Sequence, residues 1–389
     1  MSRRQFIILI VLAVAVKLAL FAYVVTVTPQ AMIRVDSHTY LQTGQALFTH
    51  GKFARPLPNG AFDHEYFRTP GYPLFLGFFH QFLKFPLSAV VFIQLLLTLA
   101  AAGLTYQAAL LIDACLARVS ALVMLYEMSI SVYALMVLTE ALYLFLISAF
   151  LFCGVKYLKE GYPRWLLLGA FVLAAASYVR PVSYYLGWAV AAFLAVHAFR
   201  GKNARHLLHA GLFLVIVYAA LGAWQLRNLK VNNSAEFSSI TGVIRESFSL
   251  IGSHERREDS KSRHLPSAAY YANAASRNLI ELLTLPGSLK YFDDGVLKKA
   301  GKLFAYPFTA FWLVGLTAGI AGIRREAALW FILVAFVYFV VVSVGASAWS
   351  VGARFRVAFM PFISILASFG WARIANHFRS ARAKLLNNI

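Results

Sequence analysis

The chain has 389 residues, 60% of them hydrophobic and only 13% charged, with a formal net charge of +20. That balance excludes an ordinary soluble globular protein, in which about a quarter of residues are charged, and indicates an integral membrane protein. The basic residues recur in small groups between apolar runs, as expected of cytoplasmic loops facing anionic lipids, which argues against a nucleic-acid-binding surface.

The first 31 residues, "MSRRQFIILIVLAVAVKLALFAYVVTVTPQA", begin like a signal peptide. Their apolar run of about 20 residues is too long for a signal-peptide core, so a retained first helix is expected. Apolar stretches of spanning length predict ten membrane helices, at residues 6–28, 88–112, 119–134, 139–158, 164–179, 182–199, 206–226, 304–323, 327–345 and 355–375. An even number of spans places both termini on the same side.

The segment "GYPLFLGFFHQFLKF", residues 71–85, is apolar but short, and reads either as a brief span or as a helix lying in the interface. The positive-inside rule favours the interface. With that choice Arg3, Arg4, Arg118, Lys156, Lys159, Arg164, Arg200, Lys202, Arg205, Arg324, Arg325, Arg373, Arg379, Arg382 and Lys384 all lie in the cytoplasm. If the segment spans, every group after the first moves outside.

Two long segments, 29–86 and 227–303, then lie outside, together with short connections around Thr139, Arg180 and residues 349–354. Within the second, "SAAYYANAASRNLIELLTLPGSL" has apolar residues at helical spacing and is expected to form surface helices capping the bundle. No internal repeat, low-complexity tract or detachable soluble domain is visible. The fold expected is an all-α polytopic membrane protein of about ten spans with external juxtamembrane helices, forming one domain over residues 1–389. Cys115 and Cys153 read as packing residues, not as a disulfide or metal pair.

The unusual polar chemistry falls on the external side. In "RVDSHTYLQTGQAL", Asp36 follows the first span and is surrounded by His38, Tyr40 and Gln42. A carboxylate there could take a proton from a hydroxyl held at the membrane surface, or could simply cap the helix that follows. In "DHEYFRTPGYPLF", Pro70 and Pro73 flank Gly71 and force a turn, and Arg68 sits at headgroup level. Arg68 could bind a lipid phosphate or anchor the interfacial helix. Asp63, His64 and Glu65 have side chains that could ligate a metal with Asp36 and His38, although no stereotyped spacing indicates one.

Glu140, in "LMVLTEALYLFL", stands at the outer start of a helix. It reads either as a first-turn glutamate favoured by the helix dipole or as a second carboxylate facing Asp36 across an external cavity. Arg180, Arg227, Arg354 and Arg356 lie at external turns, where they could be interface anchors or together form a phosphate site suited to their fork geometry. Two ionisable residues fall inside spans, Lys17 and Glu127. Charge at such depth is costly, and an ion pair between the two is the simple expectation.

Taken in order, "DSHTYLQTGQALFTHGKF", "RTPGYPLF", "LTEALYLFL", "WQLRN" and "RFRVAFMPF" resemble the membrane-embedded glycosyltransferases of the C-type fold. The resemblance is to bacterial relatives of the protein O-mannosyltransferases and of the lipid A aminoarabinose transferase. It rests on motif order over most of the chain. It implies a polyprenyl-phosphate sugar donor, a periplasmic active site in the bacterial inner membrane, and inversion at the anomeric carbon. It also implies a base at Asp36 and, less directly, a second acidic position at Glu140.

On that reading Arg68, Arg180, Arg227, Arg354 and Arg356 are candidate donor-phosphate ligands, and His38, Tyr40, His64, Glu65 and Tyr72 are candidate substrate contacts. A lipid, glycan or protein would be the acceptor, with anionic membrane lipids as surroundings; no cofactor is expected, and a divalent metal is allowed but not indicated. Asp36 is followed by Ser37, where the protein mannosyltransferases carry a second acid, and no large domain is expected after the last helix. Both departures leave the acceptor open. The rival readings are a transporter or lipid flippase, which needs a polar path near the midplane, and a lipid-linked polysaccharide polymerase or ligase.

Overall fold

The structure is a computed structural model that describes residues 1–57, 61–201, 204–240, 268–286, 295–345 and 352–386. The elements in order are α1 (Arg3–Thr26), α2 (Val35–His50), the strands β1 (Ala54–Pro56) and β2 (Phe62–His64), and α3 (Gly71–Leu76). Then come α4 (Leu87–Ile112), α5 (Ala114–Tyr126), α6 (Met128–Ala134), α7 (Glu140–Glu160), α8 (Pro163–Val179), α9 (Leu186–Gly201) and α10 (Arg205–Asn232). The chain finishes with α11 (Ala268–Thr284), α12 (Gly295–Ile320), α13 (Ala327–Val344), α14 (Ala353–Val357) and α15 (Met360–Leu386). Among the described residues the only sheet is the antiparallel β1–β2 hairpin, which pairs Arg55 with Asp63.

Local chemistry sets several helix ends. Ser2 and Gln5 form a reciprocal capping box at the start of α1, with bonds of 2.9 and 3.2 Å. Asp113 caps α5 by accepting from the Cys115 backbone N–H at 2.7 Å. Gly161 ends α7 with φ of 75°, a left-handed conformation that costs glycine little. Pro163 then opens α8 at a position where its missing N–H is not needed.

Each predicted span corresponds to helix. Among the described residues seven helices are long and apolar enough to cross a membrane, namely α1, α4, α7, α9 with its preceding turn, α10, α12 and α13. The pair α5 and α6 makes an eighth if taken as one span bent by 51° at Glu127. The remaining two are α8, which is apolar but shorter, and α15. The first half of α15 lies at the centre of the bundle, with Met360, Phe362, Ile363, Ile365, Leu366 and Ala367 fully buried. A helix surrounded by protein has less need of lipid-facing hydropathy.

Small residues let two of these helices touch. A Cβ on Gly315 or Gly319 of α12, or on Gly370 of α15, would overlap the backbone of the facing helix. Close backbone approach of this type is a main source of helix association in lipid, where apolar burial gives little advantage. The ambiguous segment 71–85 is helical as α3 and continues as a π-helical turn over Gly77–Phe82. Twelve helical residues reach about 18 Å, too short to cross a core of about 30 Å. Gly44 of α2 packs on its backbone, since a Cβ there would lie 2.8 Å from the Pro73 carbonyl oxygen.

The amphipathic helix expected after residue 266 is α11. It buries Ala274 and Leu282, and Asn278 donates to the Val344 carbonyl at 3.0 Å, so α11 covers the end of α13. The expected pairing of Lys17 with Glu127 does not form. The Lys17 ammonium donates instead to Ser131 at 2.5 Å, and the Glu127 carboxylate is taken by Arg356 at 3.0 Å, Ser129 at 2.6 Å and the Trp312 indole at 3.2 Å. Arg356 competes better for a buried carboxylate because its fork also places Nη1 on the Leu282 and Leu285 carbonyls, both at 2.8 Å.

Candidate active site

Two backbone contacts bring the acidic positions together. The Val137 N–H donates to the Met32 carbonyl at 2.8 Å, and the Ser37 hydroxyl donates to the Val137 carbonyl at 2.7 Å. The start of α2 is thereby strapped to the turn that precedes α7. Asp36 in the first turn of one helix and Glu140 at the head of the other become neighbours across that turn.

Asp36 is not the cap of α2; Arg34 occupies that position, and its backbone N–H is satisfied by Ser37 at 2.9 Å. The Asp36 carboxylate is free for other partners. Its Oδ1 accepts from Arg68 Nη2 at 2.7 Å and its Oδ2 from Arg354 Nη1 at 2.8 Å. Arg354 also reaches Glu140 through Nε, so one guanidinium bridges the two acids. Arg180 completes the group, with Nη1 at 3.1 Å from Glu140 Oε1. Thr139 precedes α7 without a side-chain capping bond, so the role of Glu140 here is ionic.

The two acids differ in access. Asp36 keeps 30% of its side-chain surface exposed and Arg354 keeps 29%, whereas Glu140 keeps 1%. A reactant can therefore meet Asp36 and the outer edge of Arg354, while Glu140 acts from behind. Burial would raise the Asp36 pKa, but the charges of Arg354 and Arg68 outweigh it and hold this carboxyl below its ordinary range. In this state Asp36 is ionised and has little appetite for a proton.

Arg68 is held from several directions. Its guanidinium donates to the Tyr40 hydroxyl at 3.1 Å and lies 4.7 Å from the centre of that ring. The backbone N–H groups of Phe67 and Arg68 donate to the buried Glu65 carboxylate at 2.7 and 2.9 Å. Arg55 lies 3.1 Å from the same carboxylate. Glu65 therefore organises the loop that presents Arg68, and at 1% exposure it offers nothing to a substrate, which corrects its reading as a substrate contact.

Tyr72 is corrected in the same sense. It is fully buried, sits edge-on to Tyr40 at 5.0 Å and donates to Gln94 at 2.5 Å. Gln94 in turn donates to the Met136 carbonyl at 2.6 Å. Sequence reasoning missed Gln94, although a lone amide inside an apolar span is itself a signal. It links α3, α4 and the turn before Glu140.

Arg227 and Arg356 stay outside the cluster. Arg227 donates to the Glu65 carbonyl at 2.9 Å and the Phe53 carbonyl at 3.1 Å, tying α10 to the hairpin loop. Arg356 is fully buried beside Glu127, on the opposite face of α14 from Arg354. Neither guanidinium is placed to meet a phosphate near Asp36. His38 and His64 are exposed and join no ion pair of the site. The metal set imagined from Asp36, His38, Asp63, His64 and Glu65 does not assemble. Among the described residues no three His, Cys, Asp or Glu side chains group as ligands.

The site thus comprises two carboxylates and three arginines at one end of the bundle, with one acid and one guanidinium edge open to the outside. Residues 67–224 match the family model described as dolichyl-phosphate-mannose-protein mannosyltransferase, a segment that includes Arg68, Glu140 and Arg180. No curated protein sequence matches the chain. Among solved structures it is similar to ArnT from Cupriavidus metallidurans bound to undecaprenyl phosphate. The TM-score is 0.57 at 17% identity, over 96% of this chain and 61% of that one.

It is also similar to the archaeal oligosaccharyltransferase AglB from Archaeoglobus fulgidus, in complex with an inhibitory peptide and a dolichol-phosphate. Here the TM-score is 0.55 at 14% identity, over 99% of this chain and 52% of that one. The chain spans between about half and three-fifths of the length of these structures. The order of motifs, the helical architecture and these similarities agree: the chain has the fold of the membrane-embedded C-type glycosyltransferases.

Proposed function

We propose that the protein transfers a sugar from a polyprenyl-phosphate donor to an acceptor hydroxyl at the periplasmic surface of a bacterial inner membrane, with inversion at the anomeric carbon. The observation that carries this reading is Arg354 bridging Asp36 and Glu140, with Arg68 on the open side of Asp36. A lipid-phosphate donor reaches a reacting centre only where its phosphate sits, at headgroup level. That is where a helix following the first span would hold Asp36. The two solved structures of similar fold contain undecaprenyl phosphate and a dolichol-phosphate, which supports a donor of that class.

The chemistry follows from the ion pairs. A donor phosphodiester entering the open side offers oxygens to the forks of Arg68 and Arg354, which now hold Asp36. As the phosphate takes these donors, Asp36 loses the two contacts that suppress its basicity. Asp36 then accepts the proton of the acceptor hydroxyl as that oxygen attacks the anomeric carbon from the face opposite the phosphate. The bond from the anomeric carbon to the phosphate oxygen breaks, its electron pair goes to that oxygen, and Arg68 and Arg354 stabilise the negative charge left on the phosphate. Glu140 holds Arg354 and Arg180 in place from the buried side.

Binding of polyprenyl phosphate to the purified protein tests the reading. Replacing Arg354 by Gln removes a charge-assisted bond worth about 1.5 to 3 kcal/mol, so affinity should fall by roughly tenfold to a hundredfold. Unchanged affinity in both Arg354→Gln and Arg68→Gln would return these residues to a structural role.

A further inference from the structure

At the opposite end of the bundle from Asp36, a cavity of about 500 Å3 opens between the end of α4, α5, the turn joining α12 to α13, and α15. Three exposed arginines line it, Arg324, Arg325 and Arg373, beside an apolar wall in which Ile112 and Phe369 are partly exposed and Leu116 and Leu329 are buried. Two carboxylates also border it, and both are engaged. Asp113 caps α5, while Glu326 pairs with Lys159 at 3.2 Å and caps α13 through the Ala328 N–H at 3.4 Å. Arg324 and Arg325 have no side-chain hydrogen bond or ion pair among the described residues, and Arg373 gives one bond of 3.3 Å to the Ala318 carbonyl. Arg373 lies across Gly322, where a Cβ would push its guanidinium aside.

We propose that this cavity binds the phosphate headgroup of an anionic membrane lipid, with the forks on the phosphate and the acyl chains leaving along the apolar wall. Arginine forks match phosphate oxygens geometrically, and basic pockets between helices on the cytoplasmic side suit such headgroups. The partly exposed Ile112 and Phe369 favour a lipid over a free anion, which would gain nothing from them. The proposal does not depend on the glycosyltransferase reading, and its test needs no turnover.

The full-length protein is reconstituted in nanodiscs of phosphatidylcholine with or without phosphatidylglycerol, and retained lipid is counted by native mass spectrometry after release into detergent. One tightly retained phosphatidylglycerol per chain is expected. In the Arg324→Gln/Arg325→Gln/Arg373→Gln variant retention should fall at least about tenfold, since each basic group near a lipid surface contributes measurably. Gly322→Ala keeps every charge and should also reduce retention, by displacing Arg373. Arg164→Gln, at the same membrane face but outside the cavity, should retain lipid as the wild type does.

Equal loss in Arg164→Gln would mean diffuse surface charge and overturn the proposal, as would undiminished retention in the triple variant with native helix content. A parallel titration with inorganic phosphate distinguishes the source. Displacement of the lipid only at high phosphate supports a headgroup site. Sub-millimolar phosphate binding without lipid retention would assign the cavity to a free anion and overturn the lipid assignment.

Discussion

At the scale of the residue, the central feature is a carboxylate held ionised by two arginines that a phosphate would also seek. Asp36 in the free protein lies below its ordinary pKa because Arg354 and Arg68 outweigh its burial. The sign of the consequence is fixed: protonation below that lowered pKa abolishes the base, so the acid limb of kcat/KM for donor, which reports the free enzyme, lies below the ordinary carboxylate value. With donor bound the arginines are shared with phosphate and the pKa rises. The acid limb of kcat is therefore expected at higher pH than that of kcat/KM, and coincident limbs would deny the exchange. Glu140, at 1% exposure, cannot meet a substrate directly. Glu140→Gln is expected to weaken donor binding by loosening Arg354, with a smaller loss of kcat than a change at Asp36 produces. A kcat loss in Glu140→Gln matching that of Asp36→Asn would exchange their roles.

At the scale of the element, α14 places two arginines of alternate position on opposite duties. Arg354 faces the site, and Arg356, two residues on, is locked to Glu127 and to the end of α11. Sequence spacing offered both as phosphate ligands, because hydropathy marks where a helix ends and not which distant side chain a guanidinium meets. The same limit misassigned Lys17. Its burial was legible from its depth in the first span, but its partner depended on the competition that Arg356 wins for Glu127. Removing one member of a buried pair strands the other charge, which costs about 3 to 5 kcal/mol. Arg356→Gln should therefore lower thermal stability strongly, and Glu127→Gln added to it should restore much of the loss. Additive losses in the double variant would show the two residues to be uncoupled.

At the scale of the whole molecule, what sequence conveyed best was the placement of helices and the gathering of polar chemistry at one end. Asp36, Arg68, Glu140, Arg180 and Arg354 come from four separate regions of the chain and meet there. Their convergence was readable because alternation of spans puts the outer ends of successive helices side by side. Glu65 and Tyr72 were misread as substrate contacts because an external loop that folds back on itself buries side chains no hydropathy pattern marks as internal. If that end is periplasmic, a cysteine introduced at exposed Asp63 should react with an impermeant reagent in intact cells and one at Glu160 should not. The reverse pattern would invert the membrane orientation.

The most direct test of the account is made on the full-length protein reconstituted with a panel of polyprenyl-phosphate sugars and candidate acceptors, by following release of polyprenyl phosphate. Asp36→Asn keeps the shape of the side chain but cannot take a proton, and its amide oxygen can accept from only one of the two arginines. Release should fall at least about a hundredfold, while donor binding holds or tightens because the arginines lose their competing carboxylate. Release by Asp36→Asn at close to the wild-type rate would contradict the assignment of Asp36 as the base.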